Sequence, residues 1–264
     1  MIKIKKIIKK ILIFFNFYLT VKVNKNKIIL FIKILRPWNV KKRLIRIGGS
    51  NDGGYIIPDD LKNIDYCFSP GVGNSTLFET ELLKYKIKSF LTDHTIKYTN
   101  NLKKFNFLKK QLNCLNDKKN ITLEKWINDK LPRYKKKNLL LQMDIDGAEY
   151  EVLLSTTDQI LKKFRILIIE FHNLDYIAHR GIYSIYLSLL KKLNKNFTIC
   201  HLHQNNSGSF VKYDDILIPK ILEITYIRND LVKSKTKIKN LPHPLDAKNV
   251  LRKNDFNIPA YYYK

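Results

Sequence analysis

The sequence predicts a three-layer α/β domain built on a mostly parallel sheet. After residue 38, short apolar runs of strand length alternate with longer helical or polar stretches, which is typical of βαβ units. Several of these runs also end in glycine, acidic or histidine residues, as strands do where a parallel sheet forms a ligand crevice. The pattern therefore predicts both the fold class and the edge of the sheet that binds a ligand.

The positive charge of the chain is concentrated at its N-terminus. The 264 residues carry a net charge of +26, and the first 50 contain 11 lysines, 3 arginines and no acidic residue. An apolar content of 45% with 9 glycines and 8 prolines excludes a collagen-like chain and argues against wholesale disorder. Beyond residue 50 the lysines are spread without a pattern, so we interpret only the N-terminal charge as attraction to an anionic surface.

Residues 1–40 are predicted to form a basic amphipathic arm, and residues 41–264 a single domain. Apolar side chains recur at helical spacing at Ile4, Ile7, Ile8, Ile11 and Phe15. The longest nearly uncharged run, residues 11–21, is shorter than the roughly 20 residues that span a bilayer. We therefore expect residues 1–35 to rest on an anionic membrane surface, with packing of this helix on the domain as the alternative.

Six apolar runs are predicted as the core strands. They are residues 64–68, 89–91, 138–143, 166–171, 197–202 and 221–227. Helical spacing between them predicts helices at residues 77–84, 149–161 and 184–194.

A Gly-x-Gly turn follows the first predicted strand. Glycines allow the backbone to approach a ligand closely, and the helix that opens near residue 76 offers unpaired N–H groups. A plain tight turn is the alternative for so short a motif. The candidate cofactor-binding residues here are Ser69, Gly71, Gly73 and Asn74.

The second predicted strand ends at Asp93 and His94. An acidic residue at this strand tip is placed to accept hydrogen bonds from ribose hydroxyls. Because the preceding turn lacks the third glycine of G-x-G-x-x-G, it does not indicate a dinucleotide pyrophosphate. A nucleoside ligand such as S-adenosylmethionine fits better, since it has a ribose and no phosphate.

The run at residues 138–143 leads directly into Asp144 and Asp146. Because the carboxyl ends of parallel strands line the crevice, we expect both carboxylates to face the site. One could act as a general base or a metal ligand, and the two together could hold a cation. Capping of the helix that starts at Glu149 is the alternative role for Asp146.

Two later strands contribute histidines. Glu170 and His172 end one strand, whereas His201 and His203 share one face of the next because side chains alternate. Two such histidines with nearby acids could bind a transition metal. The alternative, which we adopt, is a site without metal in which one histidine is a base and the other a buried hydrogen-bonding residue.

Eight sequence blocks occur in a recognisable order over residues 44–250. They are RIGGSNDGGYIIPDDL, FSPGVGNSTLFE, FLTDHT, LLQMDIDGAEYEVL, IIEFH, HLHQNN, ILEITYIRND and LPHPLDAKN. Through this set, and above all through DIDGAE, the chain resembles the FkbM-type methyltransferases, class I enzymes that use S-adenosylmethionine. Many relatives have Glu where this chain has Asp146, and the N-terminal arm lies outside the resemblance.

The resemblance implies a three-layer Rossmann-like class I methyltransferase fold with a seven-stranded, mostly parallel sheet and an antiparallel last strand. It implies S-adenosylmethionine as the cofactor, with the glycine turn and Asn74 lining its methionine and ribose side. It further implies that Asp93, beside His94, holds the ribose, and that residues 113–117, with Asn116 as the binding residue, lie near the adenine. The family generally methylates oxygen on sugars, glycolipids and secondary metabolites, so we expect O-methylation of a sugar, glycan or glycolipid hydroxyl.

The catalytic hypothesis places a general base among the acidic and histidine residues at the strand tips. Asp144, His172 or His203 would remove the hydroxyl proton, and Glu170 would orient that base.

Two other functions remain open from the sequence. An RNA ribose methyltransferase would suit the charge, but such enzymes commonly use a Lys-Asp-Lys-Glu group. His201 and His203 stand where this group needs a lysine, which argues against nucleic acid as a partner. The second is a non-catalytic membrane-associated module on a methyltransferase fold, against which the intact acids and histidines argue. We expect a cytoplasmic enzyme, able to lie peripherally at the membrane, with a small-molecule or glycan acceptor.

Overall fold

One seven-stranded sheet organises the chain, as a computed structural model shows for residues 2–15, 20–73, 75–97 and 100–264. The helices are α1 (Ile2–Phe14), α2 (Lys25–Ile34), α3 (Leu77–Leu82), α4 (Leu123–Lys130), α5 (Glu149–Ser155), α6 (Asp158–Leu161) and α7 (Arg180–Asn196). The strands are β1 (Trp38–Asn39), β2 (Leu44–Ile47), β3 (Tyr55–Pro58), β4 (Tyr66–Pro70), β5 (Lys88–Thr92), β6 (Asn106–Leu108), β7 (Gln111–Leu112), β8 (Asn120–Ile121), β9 (Leu139–Met143), β10 (Phe164–Phe171), β11 (Phe197–Gln204), β12 (Phe210–Tyr213), β13 (Ile216–Pro219), β14 (Leu222–Arg228) and β15 (Thr236–Lys237).

The strand order in the main sheet is β11-β14-β10-β9-β4-β5-β6. The strands from β6 to β10 pair in parallel, whereas β14 is antiparallel to both of its neighbours, β10 and β11. The last strand of this sheet in sequence order, β14, therefore runs antiparallel to the other six. This confirms the predicted class I methyltransferase fold, including its antiparallel last strand.

All six predicted strands are present, and a seventh, β6, is added at the sheet edge. Its three residues are half-buried or exposed, and the apolar stretch that contains them is short, interrupted by Asn106 and flanked by lysines, so it does not stand out as a strand in the sequence. The helix predicted over residues 149–161 is in fact two helices. Thr156 is extended after α5, and Thr157 starts α6 by accepting a hydrogen bond from Ile160 N. Two adjacent β-branched residues favour this break.

The two faces of the sheet bury separate apolar clusters because strand side chains alternate. On β9, Leu139, Leu141 and Met143 join the larger cluster, which includes residues of α2, α4, α5 and α7. Leu140 points to the opposite face, where β2, β3 and α3 pack. The loops at the carboxyl ends of the strands are therefore held between two packed layers.

The two helices of the predicted arm have different environments. Ile28 and Phe31 of α2 are fully buried in the larger cluster, and Tyr183 of α7 donates a hydrogen bond to Lys27 O. The predicted boundary at residue 40 therefore lies beyond a helix that packs with the domain. In α1, by contrast, Ile7 and Phe14 are 57% and 81% exposed. Among the described residues, no helix is both long and apolar enough to cross a membrane.

Two segments cover the carboxyl edge of the sheet on the face of the smaller cluster. The first is the antiparallel hairpin β2–β3. It is attached to the main sheet by a hydrogen bond that the Thr225 hydroxyl of β14 donates to Ile56 O at 2.7 Å. The second is residues 241–250, which we call the C-terminal strap. The strap reaches the hairpin, since Asn249 Nδ2 lies 3.2 Å from Asp52 Oδ1. Both segments belong to sequence blocks that carry the family resemblance.

Candidate active site

The glycine turn after β4 packs against the residues that follow β9. Asp144 N donates to Pro70 O at 3.2 Å, and Gly71 N donates to Thr92 O at 2.9 Å, so the turn is fixed between two strand ends. Gly71 and Gly73 both have positive φ angles, the region that favours glycine. Asn74, the fourth residue predicted in this turn, lies outside the described residues.

Asp93 links this turn to the loop after β5. Its Oδ1 accepts hydrogen bonds from the backbone N and the hydroxyl of Thr95, both at 2.7 Å, and its Oδ2 accepts one from Gly73 N at 3.1 Å. Burial alone would raise the pKa of Asp93, but these hydrogen bonds outweigh it and the pKa is lowered. Asp93 is therefore an ionised acceptor at the strand tip. His94, next to it, is exposed, and both residues line a small cavity between the loops after β5 and β9.

Two cavities meet at Asp144. The hairpin-side cavity, of about 410 Å³, lies between the β2–β3 hairpin and the glycine turn. The Asp93-side cavity, of about 140 Å³, lies between the loops after β5 and β9. Gly71 and Asp144 line both. A larger groove of about 850 Å³ at the amino ends of β11 and neighbouring strands contains none of the predicted site residues.

A row of buried polar side chains extends from Asp144 across three neighbouring strands. Glu170 of β10 pairs with Glu223 of β14, which in turn pairs with His203 of β11. Burial raises the pKa of Glu170, and the nearby charges of Asp144 and Glu223 raise it further. Burial likewise raises the pKa of Asp144 to about 7, against the influence of His172. The row thus places several acidic groups close together, and burial with mutual repulsion favours their protonated forms.

His172 stands among these carboxylates with its two ring nitrogens in different environments. Its Nε2 lies 3.8 Å from Asp144 Oδ1 and 3.7 Å from Glu170 Oε1. Its Nδ1 lies 3.0 Å from Glu149 Oε1. Burial alone would lower the pKa of His172, but Glu149 and then Asp144 raise it. Asp144, Glu170 and His172, predicted separately from three strand tips, therefore form one cluster.

Glu149 is a site residue that the sequence analysis missed. It is fully buried, and its Oε1 also accepts hydrogen bonds from Ile145 N and Gly147 N, both at 3.1 Å. Because this oxygen is an acceptor, the neutral form of His172 carries its proton on Nδ1 and leaves Nε2 facing Asp144. The alternative role of Asp146 as helix cap is wrong, because Asp146 is 94% exposed and Ala148 occupies the cap position. In the sequence Glu149 resembles an ordinary first-turn acid, which hides this role.

His203 contacts the C-terminal strap. Its Nδ1 lies 3.3 Å from Asp246 Oδ1, and its Nε2 lies 3.1 Å from Asn249 Oδ1. Burial would lower the pKa of His203, but Glu223 and Asp246 outweigh it and raise the pKa to about 9. Both ring nitrogens are engaged, which argues for an anchoring role rather than for the predicted role as a base. The same Asp246 oxygen lies 3.1 Å from His201 Nε2.

The remaining two candidates lie outside the cavity linings. Ser69 is buried beneath the hairpin-side cavity, where its hydroxyl lies within hydrogen-bond distance of Gln142 Oε1, at 2.5 Å, and of Glu79. Asn116 is exposed, and its side-chain oxygen accepts from Thr122 N at 2.8 Å. The Asp93-side cavity reaches residues 110–112 and not Asn116. Asn116 therefore shapes a loop in this structure, and its predicted place near adenine stays a prediction.

Comparison with known proteins gives one family. Residues 71–199 match the family model described as the methyltransferase FkbM domain, a range that includes Asp93, Asp144 and His172. No curated protein matches significantly. Among solved structures, the fibrillarin/Nop5p complex is similar with 9% identity over 63% of this chain and 73% of that chain, at a TM-score of 0.34. Thermoplasma acidophilum 1320 is similar with 6% identity over 62% and 78%, at a TM-score of 0.31.

Proposed function

The chain carries a methyltransferase domain of the FkbM family, and on this premise we propose that it methylates a hydroxyl group of a sugar, glycan or glycolipid with S-adenosylmethionine. The observation that carries the proposal is the position of Asp144 where two cavities meet. One cavity is bounded by an ionised strand-tip acid, Asp93, and the other by the hairpin. Gly71 and Asp144, which line both cavities, would then lie between residues that hold the cofactor and residues that hold the acceptor.

The residues of the Asp93-side cavity fit the nucleoside part of the cofactor. Asp93 Oδ2 accepts a hydrogen bond from Gly73 N, which leaves it further capacity to accept from a ribose hydroxyl. Gly71 lets the turn lie directly against the backbone of Asp144, where a Cβ atom would collide with the carbonyl oxygen. When bound, S-adenosylmethionine supplies an electrophilic methyl group on a positively charged sulfur, and the carboxyl group of Asp144, which lines both cavities, would complement that charge when ionised.

Asp144 is the residue we assign to the acceptor hydroxyl. Its side chain is 31% exposed toward the cavities, whereas Glu170 is buried behind it. Asp144 would accept the hydroxyl proton as the methyl–oxygen bond forms and the methyl–sulfur bond breaks, and His172, 3.8 Å away, would favour the ionised form of Asp144 that this requires. Alignment of the hydroxyl between the hairpin and the glycine turn supplies the rest of the rate enhancement.

Methyl-label transfer into a cell extract tests this proposal. The extract is separated into glycan, lipid, protein and RNA fractions after incubation with the enzyme and labelled S-adenosylmethionine. We expect label in the glycan or glycolipid fraction, lost with Asp144→Asn and retained with Asp129→Asn, which removes an exposed acid paired with Lys125. Label in RNA would overturn the acceptor class. Absence of cofactor binding at millimolar concentration would overturn the cofactor assignment.

We also propose that α1 holds the enzyme at an anionic membrane surface. Helix α1 contains five lysines and no acidic residue, and Ile11 and Phe14 are 51% and 81% exposed. Each lysine near an anionic leaflet contributes about 1 kcal/mol. In vesicle co-sedimentation, we expect binding to phosphatidylserine-containing vesicles that falls with salt and is lost when residues 2–15 are deleted. Equal binding of the shortened chain would contradict this proposal.

A further inference from the structure

We infer that His172, Asp144 and Glu170 form a binding site for a divalent transition-metal ion, with Glu149 holding the histidine in the orientation that the metal requires. This inference departs from the metal-free site predicted from the sequence. The three residues lie at Asp144 and directly behind it, and not in the glycine turn or the Asp93 loop that are predicted to bind the cofactor.

The spacing of the side-chain atoms suits an ion. Asp144, Glu149 and His172 each bring one ligand atom within 4.8 Å of the other two. His172 Nε2 lies 3.8 Å from Asp144 Oδ1 and 3.7 Å from Glu170 Oε1. These distances are too long for hydrogen bonds. Ligands that surround a metal at about 2.1 Å lie about 3 to 4 Å from one another, and His172 Nε2 stands at such a distance from each of the two carboxylate oxygens.

Two buried carboxylate oxygens near this point have no protein partner. Glu170 is 3% exposed; its Oε1 accepts a hydrogen bond from Asn205, while its Oε2 accepts none from the described residues. Glu149 is fully buried, and its Oε2 is likewise without a described partner. Buried polar atoms are nearly always satisfied, and an unsatisfied one costs about 1–3 kcal/mol. A bound cation beside these groups would supply the missing contact.

The histidine is oriented as metal-binding histidines are. Such residues donate their second ring N–H to a carboxylate, which fixes the tautomer and frees the other nitrogen for the metal. Glu149 accepts from His172 Nδ1 at 3.0 Å and is itself fixed by Ile145 N and Gly147 N. One imidazole with two carboxylates suits Mn²⁺, Fe²⁺ or Zn²⁺ better than the all-oxygen preference of Ca²⁺.

The catalytic consequence rests on the proposed function. A cation at this place would bind the acceptor hydroxyl and lower its pKa. One oxygen of Asp144 would then ligate the ion while the other accepts the hydroxyl proton. Metal binding itself does not depend on the methyl-transfer reaction and can be measured without the cofactor.

Titration of the chelator-treated full chain with Mn²⁺ alone tests the inference. Calorimetry is expected to show one saturable site, and pulsed electron paramagnetic resonance a coupling from one histidine nitrogen. His172→Ala should remove that coupling and weaken Mn²⁺ binding at least about tenfold. The matched control, His179→Ala, removes a histidine that stacks on Tyr176 and should leave both measurements unchanged.

Circular dichroism melting of each variant and separate titration with S-adenosylmethionine complete the experiment. A folded wild-type chain that binds the cofactor but shows no saturable Mn²⁺ binding at millimolar concentration overturns the metal site alone. A chain that binds Mn²⁺ with the nitrogen coupling but not the cofactor overturns the proposed function alone. Persistence of the coupling in folded His172→Ala would also overturn the site. If that variant does not fold, Glu170→Gln must weaken Mn²⁺ binding for the inference to stand.

Discussion

The backbone of Gly71 lies directly against the carbonyl oxygen of Asp144, so that a Cβ atom on residue 71 would fall 1.4 Å from that oxygen. This contact joins the glycine turn after β4 to the acid after β9. It sets the position of the side chain that lines both cavities. The requirement for glycine at position 71 is therefore a requirement of the site and not only of the turn.

Gly71→Ala should abolish methyl transfer and reduce cofactor affinity by about 100-fold or more, because the new methyl group must displace the backbone of Asp144. The positive φ of residue 71 adds strain of about 1–3 kcal/mol for alanine. The measurement is calorimetric titration with S-adenosylmethionine alongside thermal melting.

Gly73→Ala is the matched control for this prediction. Residue 73 also has a positive φ, but a Cβ atom there meets nothing within 4 Å. We expect the strain to lower stability while cofactor affinity stays within about tenfold of wild type. Equal loss of affinity in both variants would show that φ, and not the contact with Asp144, is what matters.

Asp93→Asn should weaken cofactor binding by about 10- to 100-fold. The amide keeps one acceptor oxygen but loses the charge that strengthens the hydrogen bonds from Thr95 and Gly73. Asp129→Asn is a suitable control, because Asp129 is an exposed acid that accepts a hydrogen bond from Lys125 and lines neither cavity. If both variants bind the cofactor as the wild type does, Asp93 has no part in the cofactor site.

Glu149→Gln should lower the turnover number by about 10- to 100-fold while cofactor affinity changes little. The amide can donate as well as accept, so it no longer fixes the proton of His172 on Nδ1. Glu151→Gln, on the same helix but exposed, controls for the loss of an acid near the helix start. A fall in the turnover number in both variants would assign the effect to helix electrostatics.

The sequence predicted those site residues that directly follow a predicted strand. Because the tips of parallel strands meet at one edge, Asp93, Asp144, Glu170 and His172 could be placed together before the fold was known. The strand order could not be derived from these local patterns, and it came from the family resemblance.

What the sequence did not predict depends on contacts between residues far apart in the chain. The partners of His203 lie more than 40 residues later, in the C-terminal strap. Nothing in its own strand distinguishes a histidine that anchors a strap from one that accepts a proton. Glu149 is close in sequence to Asp144, but its contact with His172 forms only when β9 and β10 pair.

The anchoring of the strap gives the protein a specific dependence of stability on pH. Glu223, Asp246 and Asn249 face His203 and raise its pKa to about 9, above the ordinary histidine value of about 6.5. The charged form is therefore favoured by folding. Its contribution is fully present below pH about 6.5 and is lost as the pH rises toward about 9.

The opposite sign applies to the partner carboxylate. The pKa of Asp246 is lowered, because hydrogen bonds from His201 and His203 outweigh the effect of burial. Its contribution is present above the ordinary aspartate pKa of about 4 and is lost only as the pH falls below that value. Between pH 6 and 9, the change in strap stability therefore comes from His203 and not from Asp246.

Urea unfolding at pH 6 and pH 9 checks this prediction. We expect the wild-type free energy of unfolding to fall by about 2 kcal/mol over this range, and that of His203→Gln to fall by clearly less. Glutamine can still donate to Asp246 but cannot be protonated, so the variant removes the titration and keeps a hydrogen bond. An equal fall in both proteins would mean that another group titrates, and the strap would then be held independently of the charge on His203.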